Sequence, residues 1–224
     1  MAQLGARFHG MEEVESSNLS RSTKDPLPSI GDTEIWSASD MAAAHTFLTP
    51  AQFEQLYSDS VKPYFEFWYG EAIQKSMPTL THSVMQWVIA MLFARRGWRS
   101  ATELRLKISK VAYPVPDVAG NPGPFRSPYP KEPIDLCVEI LSPGDNLIDT
   151  FKKAAHYLDW GIGSVWIVDP EKRNAHQMSI GNPRPIPVSI TDSLTAGSGN
   201  SEISIPLSEI FTETDAQLGN HETR

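Results

Sequence analysis

Cysteine is all but missing from this chain: Cys137 is the only one in 224 residues. Its isolation excludes an internal disulfide and any cysteine-rich zinc site. A positive excess is missing too. Nineteen Lys and Arg face 27 Asp and Glu, a net charge of −8, which argues against a protein coated in basic surface for nucleic acid. It leaves room for a local basic groove, or for a metal that offsets carboxylate charge. Long apolar runs are absent as well. No segment reads as a membrane span and the N-terminus has no apolar signal core, so the expectation is a cytoplasmic, soluble protein without a membrane partner. What remains is enough for one domain with a sizeable core.

The chain is organised around Pro133 to Pro170. Ile134, Leu136, Val138 and Ile140 alternate with Asp135, Cys137, Glu139 and Leu141, the period of a strand with one aliphatic face and one that carries carboxylates. Ser142-Pro143-Gly144-Asp145 breaks it with turn chemistry. From Asp149 to Trp160 the spacing of Phe151, Ala154, Ala155 and Leu158 predicts a helix, stopped by Gly161 and Gly163. Val165–Val168 is a second, β-rich run ending at Asp169-Pro170. A strand–helix–strand crossover allows the two strands to be parallel neighbours, and an α/β fold with a mixed central sheet flanked by helices is expected.

Residues 1–45 are polar and aperiodic and read as a flexible arm; 46–212 form the domain, and 213–224 a polar, frayed tail. Thr49-Pro50 starts a helix. Tyr64 to Lys75 reads as a hairpin about Gly70-Glu71, with Glu66 either on a solvated face or in a site. Thr81 to Arg96, apolar nearly all round, is a buried core helix. Thr102 to Ile108 alternates as a half-buried strand, Leu104, Leu106 and Ile108 against Glu103, Arg105 and Lys107, and Val111 to Ala119 is a strand whose prolines push it toward an edge or bulge. Residues 121–131 form a proline-rich loop. Ala175–Ile180 and Pro187–Ile190 read as a hairpin, Ser201–Ile205 as a last strand and Leu207–Phe211 as a helical turn.

Asp117 and Glu139 sit on two acidic strands 22 positions apart. Paired, their carboxylates converge and repel, so one takes a proton or a cation sits between them. Hard oxygen donors of this kind favour magnesium or manganese. A nearby lysine then serves the attacking water, or the charge that builds on a phosphoryl group.

The string E-I-L-S-P, then Asp149, Lys153 and Tyr157 in D-x3-K-x3-Y, then G-I-x-x-V-W-I-V-D-P resembles the Uma family of putative restriction endonucleases, in the PD-(D/E)xK nuclease superfamily. FLTPAQF, YFEFWYGE, the helix at His82, VPDV and SIPLSEIF extend the resemblance over roughly 47–211. It implies a restriction-endonuclease-like fold and a metal-dependent endonuclease acting on nucleic acid, DNA first. It makes Asp117 and Glu139 the metal-holding acids, with Glu66 a further acid beside them. In the superfamily's Glu-x-Lys pattern the lysine falls at 141, where this chain has Leu141; the Uma pattern moves it to the next helix and nominates Lys153.

Each candidate has a plainer reading. Lys153 can be a solvated lysine paired with Asp149 at i−4. His82 can be a capping or core histidine, Asp135 a strand-entry residue, and Ser142 a turn residue beside the site. Tyr157 packs, with its hydroxyl at the site's edge. Because the lysine acts on water, its removal is expected to leave folding nearly intact. The alternative function is a nuclease-fold binding protein without cleavage activity, and another phosphoester is a third substrate class. A homodimer is expected by analogy alone.

Overall fold

The computed structural model describes residues 47–57 and 64–219. The arm expected over 1–45 and the last residues of the expected tail, 220–224, lie outside them. In order, the elements are α1 (Pro50–Leu56), β1 (Phe65–Trp68), β2 (Glu71–Gln74), α2 (Leu80–Arg95), β3 (Arg99–Thr102), β4 (Ala112–Tyr113), β5 (Val118–Asn121) and β6 (Leu136–Ile140). They continue with α3 (Leu147–Asp159), β7 (Ser164–Asp169), β8 (Asn174–Ser179), β9 (Asn182–Val188), β10 (Ser193–Ala196), β11 (Ile203–Pro206) and α4 (Leu207–Leu218).

A six-stranded mixed sheet in the order β3-β5-β6-β7-β8-β9 forms the centre, and β6 and β7 are its parallel pair. These are the two runs flanking the expected crossover helix, so the strand–helix–strand unit is present as read. Both strands are buried on both faces. Leu136, Val138, Ile140, Trp166 and Val168 pack toward α2 and α4, while Cys137, Val165 and Ile167 pack toward Ala154, Tyr157 and Leu158 of α3. The period of two thus divides each strand between two cores, one on each side of the sheet. Gly163 makes the return from α3 possible, because a Cβ there would stand 2.9 Å from the Asp135 carbonyl oxygen.

A smaller antiparallel sheet, β2-β1-β4, carries α1 over Phe53, Phe67 and Tyr113. Thr49 caps α1 in a reciprocal box with Gln52. Prolines 183, 185 and 187 alternate along β9, removing N–H donors from that edge of the large sheet.

Three expectations fail locally. The strand expected over Thr102–Ile108 ends at Thr102. Glu103 takes a φ of 51°, turning the chain out of the sheet, and Arg105, assigned by alternation to the solvent face, is buried with its guanidinium donating to the Phe65 carbonyl. The expected tail from 213 is helical to Leu218, because Glu213 and Asp215 pair with Arg95 and Arg173 and Thr214 is buried. A boundary at 212 therefore falls inside α4. And α2 is buried on one side only: Leu80 and Trp87 stay exposed. Among the described residues no helix is long and apolar enough to cross a membrane.

Asp169 closes the turn after β7 by accepting from the Lys172 backbone N–H and its ammonium, both at 2.9 Å. Burial favours its neutral form, but those bonds outweigh it and hold the carboxyl below its ordinary value. The stabilisation is complete above the unfolded pKa of about 3.9 and disappears as pH falls through the lower folded value. Asp169→Asn is expected to cost about 1–2 kcal/mol in urea melts at neutral pH. The gap between variant and wild type should close in acid.

Candidate active site

The register of β5 against β6 pairs Val118 with Val138 and Ala119 with Cys137. Continued by one step, it sets Asp117 opposite Glu139. Two carboxylates so placed repel unless something offsets them. Both line one cleft of about 330 Å³, together with Glu66, Lys75, His82 and Lys153.

Each charge arrives from a different element. Asp117 precedes β5; its Oδ1 accepts from Lys75 Nζ at 2.7 Å, and its Oδ2 from the Ile140 N–H at 2.7 Å. His82 Nε2, from the first turn of α2, lies 3.2 Å from the same Oδ2, while its Nδ1 has no partner among the described residues. Gln86, one turn further along α2, donates to the Asp117 carbonyl at 2.7 Å. Glu66 on β1 accepts from Lys153 Nζ at 2.9 Å, the Val115 N–H at 2.7 Å and Trp68 Nε1 at 2.9 Å. Glu139 on β6 accepts from the Tyr157 hydroxyl at 2.7 Å and from Lys153 Nζ at 3.1 Å.

Lys153 thus bridges Glu66 and Glu139. It does not pair with Asp149, whose partner at 2.7 Å is Lys152. The chain therefore answers Leu141 with a lysine from α3, whose amphipathic face turns Ala154 and Tyr157 to the sheet and leaves Lys153 at the cleft edge. With this bridge, the expectation that Lys153 has no part in folding no longer holds. Its removal strands two buried acids.

The electrostatics follow from these pairs. Burial opposes ionisation of Asp117, but Lys75 and His82 outweigh it and hold the carboxyl well below the usual range. Glu66 is likewise lowered, burial being overcome by Lys153 and then Lys75. Glu139 goes the other way. Burial raises it, and repulsion from Asp117 and Glu66 adds to what Lys153 cannot cancel. Burial would neutralise Lys153, yet Glu139 and Glu66 push it above its ordinary value, so it stays an ammonium. The cluster sets three acids against two lysines, one ammonium fewer than the acids.

That shortfall and the hard oxygen donors fit a divalent cation. Among the described residues no group of three His, Cys, Asp or Glu is arranged to surround an ion. An ion in this cleft would therefore have one or two carboxylates of the chain as ligands, with water completing its shell.

Ser142 and Asp149 line the cleft, and Tyr157 reaches it through Glu139. Asp135 does not. It stands before the first residue of β6, at the far end of the strand from Glu139, and is not among the cleft residues. Cys137 is fully buried, its thiol pushed up by burial, and is inert packing. Lys75 escaped the sequence reading, although a signal existed. The two-residue Tyr69-Gly70 turn sets Glu66 opposite Ile73, which puts Lys75 on the same face of the hairpin as Glu66.

The family model Uma2, described as "Putative restriction endonuclease", matches residues 50–204. A solved structure described as "a putative nuclease belonging to DUF820 from Anabaena variabilis" superposes with a TM-score of 0.63 at 20% identity, covering 75% of this chain and 99% of that one. At that identity the likeness shows the fold. No curated protein matches. With the family model spanning most of the chain, this protein belongs to the Uma2 family.

Proposed function

We propose that this protein is a metal-dependent endonuclease that hydrolyses phosphodiester bonds of nucleic acid, DNA first. The observation that carries the reading is the Lys153 ammonium, 2.9 Å from Glu66 and 3.1 Å from Glu139, in the cleft that also holds Asp117. It supplies the cation that Leu141 withholds. Asp117 and Glu139 would hold one magnesium or manganese ion, with Glu66 close enough to contribute through water. When bound, the ion polarises the phosphoryl group and offsets its charge.

The chain's own residues do the rest. Because Lys153 stays protonated, it works as a donor and not as a base: it orients the attacking water and stabilises the negative charge that builds as the phosphorus–oxygen bond breaks. Lys75 and His82 fix the Asp117 carboxylate in rotamer and in charge. Tyr157 does the same for Glu139 through Oε1, and the Lys153 ammonium lies 3.0 Å from Oε1 and 3.1 Å from Oε2. A homodimer, each subunit addressing one strand, belongs to the same proposal by analogy. A binding protein without cleavage is the second reading, favoured by the net charge of −8.

The test is a panel of labelled single-stranded DNA, duplex DNA and RNA, each with magnesium, manganese or EDTA. Cleavage of at least one polymer with metal and none in EDTA is the expected result. Binding of a polymer that stays intact under all conditions would put the second reading ahead.

A further inference from the structure

Beside the acidic cleft lies a group of four rings that the hydrolytic chemistry does not use. Trp68 and Tyr69 come from the end of β1 and its turn, His156 from the last turn of α3 and Trp160 from its C-cap. The Trp68 ring centroid is 5.7 Å from His156 and 5.5 Å from Trp160, and His156 stacks on Trp160 at 5.7 Å and 19°. Tyr69 lies 5.5 Å from His156, its hydroxyl 3.2 Å from Nδ1. None of the four is fully buried, and Tyr69 is 51% exposed.

The group is continuous with the cleft. Trp68 donates to Glu66, the same carboxylate that holds Lys153. Lys153 and His156 on α3 and Trp160 at its C-cap follow one another at i, i+3 and i+7, along one side.

Tyr69 is also the wrong residue for its backbone. It and Gly70 form a two-residue hairpin turn with φ of 50° and 100°, a geometry that favours Asn-Gly. A tyrosine held left-handed is strained, and such strain persists where the side chain is needed. Here it sets an exposed ring beside His156 and Trp68.

We infer that Trp68, Tyr69, His156 and Trp160 form a stacking platform for unpaired nucleobases of a single-stranded segment leading into the Asp117–Glu139 cleft. The inference rests on the nuclease reading and names its substrate class. Unpaired bases are the occupant that these rings suit, because every base has a flat π-face that stacks on an aromatic ring in any sequence, whereas a duplex keeps its bases stacked on one another. The net charge of −8 works against a polyanion, so stacking has to carry the contact.

The experiment measures binding of a short single-stranded oligonucleotide carrying 2-aminopurine, and of its duplex, in EDTA so that nothing is cut. Wild type should quench the 2-aminopurine fluorescence and prefer the single strand. Tyr69→Asn and Trp160→Leu should each weaken single-strand binding by roughly 5- to 150-fold. Tyr69→Asn, relieved of its strain, should melt at or above the wild-type temperature. Variants that bind as wild type does, or a duplex that binds as tightly as the single strand, would overturn the platform. A lowered melting temperature in Tyr69→Asn would overturn it too, marking the ring as packing. If wild type cleaves nucleic acid in metal while the variants still bind normally, only the platform fails. If wild type neither binds nor cleaves, the nuclease reading fails with it.

Discussion

Lys153→Met is expected to reduce cleavage by roughly 10²- to 10⁴-fold, the usual loss on removing one positioned electrostatic or acid–base group. It should also destabilise the metal-free protein by about 3–5 kcal/mol, because Glu66 and Glu139 are left buried without their shared counter-charge. A divalent cation should recover part of that loss, since it can take over the neutralisation. Lys152→Ala is the internal control. That side chain is 69% exposed and pairs with Asp149 at the surface, so both rate and stability should stay near wild type, within about 0.5 kcal/mol. Rates are compared at temperatures where each variant is fully folded. Equal losses from the two substitutions would remove Lys153 from the chemistry.

Asp117→Asn separates metal binding from folding in the opposite sense. The wild-type carboxylate is paired with Lys75, faces His82 and accepts from the Ile140 N–H. The amide keeps the shape and loses the charge, leaving the Lys75 ammonium short of its partner at a cost of about 3 kcal/mol. At a cation concentration near 100 times Kd, the wild type should gain about 2.7 kcal/mol, a rise in Tm of roughly 5–10 °C for a chain of this size. Asp117→Asn should melt lower in EDTA and show no such rise. Lys153→Met should melt lower and keep the rise. The two variants thus fall on opposite sides of one measurement, and a matching response from both would mean that the cation binds elsewhere.

The parts of this molecule that were readable in advance are those whose signal is local. Alternation through Leu136–Ile140, helical spacing through 149–160 and the β-rich run at Val165–Val168 each declare their own element. Together they fix the parallel pair and the layer of α3 over it. Asp117 and Glu139 could be picked out as acids on two strand-like runs, but the family resemblance is what made them site residues; the register of β5 against β6 is what sets them opposite each other. Lys153 was legible only through its family pattern, since i−4 spacing to Asp149 gives it a surface role that the fold does not use.

What stayed hidden depends on contacts distant in sequence. Lys75 meets Asp117 across 42 positions, and His82 meets it across 35. Arg105 looked solvent-facing because alternation predicts a face only while the strand lasts, and the left-handed backbone at Glu103 ends it. The polar residues after 212 looked frayed because their ion-pair partners, Arg95 and Arg173, lie on α2 and after β7. Charge pattern alone does not say which partner a polar helix will find.

The most direct measurement of the central claim is a time course on supercoiled plasmid in manganese, with wild type and Glu139→Ala purified side by side and checked for equal folding by their melts. Wild type is expected to convert the plasmid to nicked or linear product, and Glu139→Ala to show no conversion above the EDTA control. Conversion by Glu139→Ala at the wild-type rate would contradict that claim.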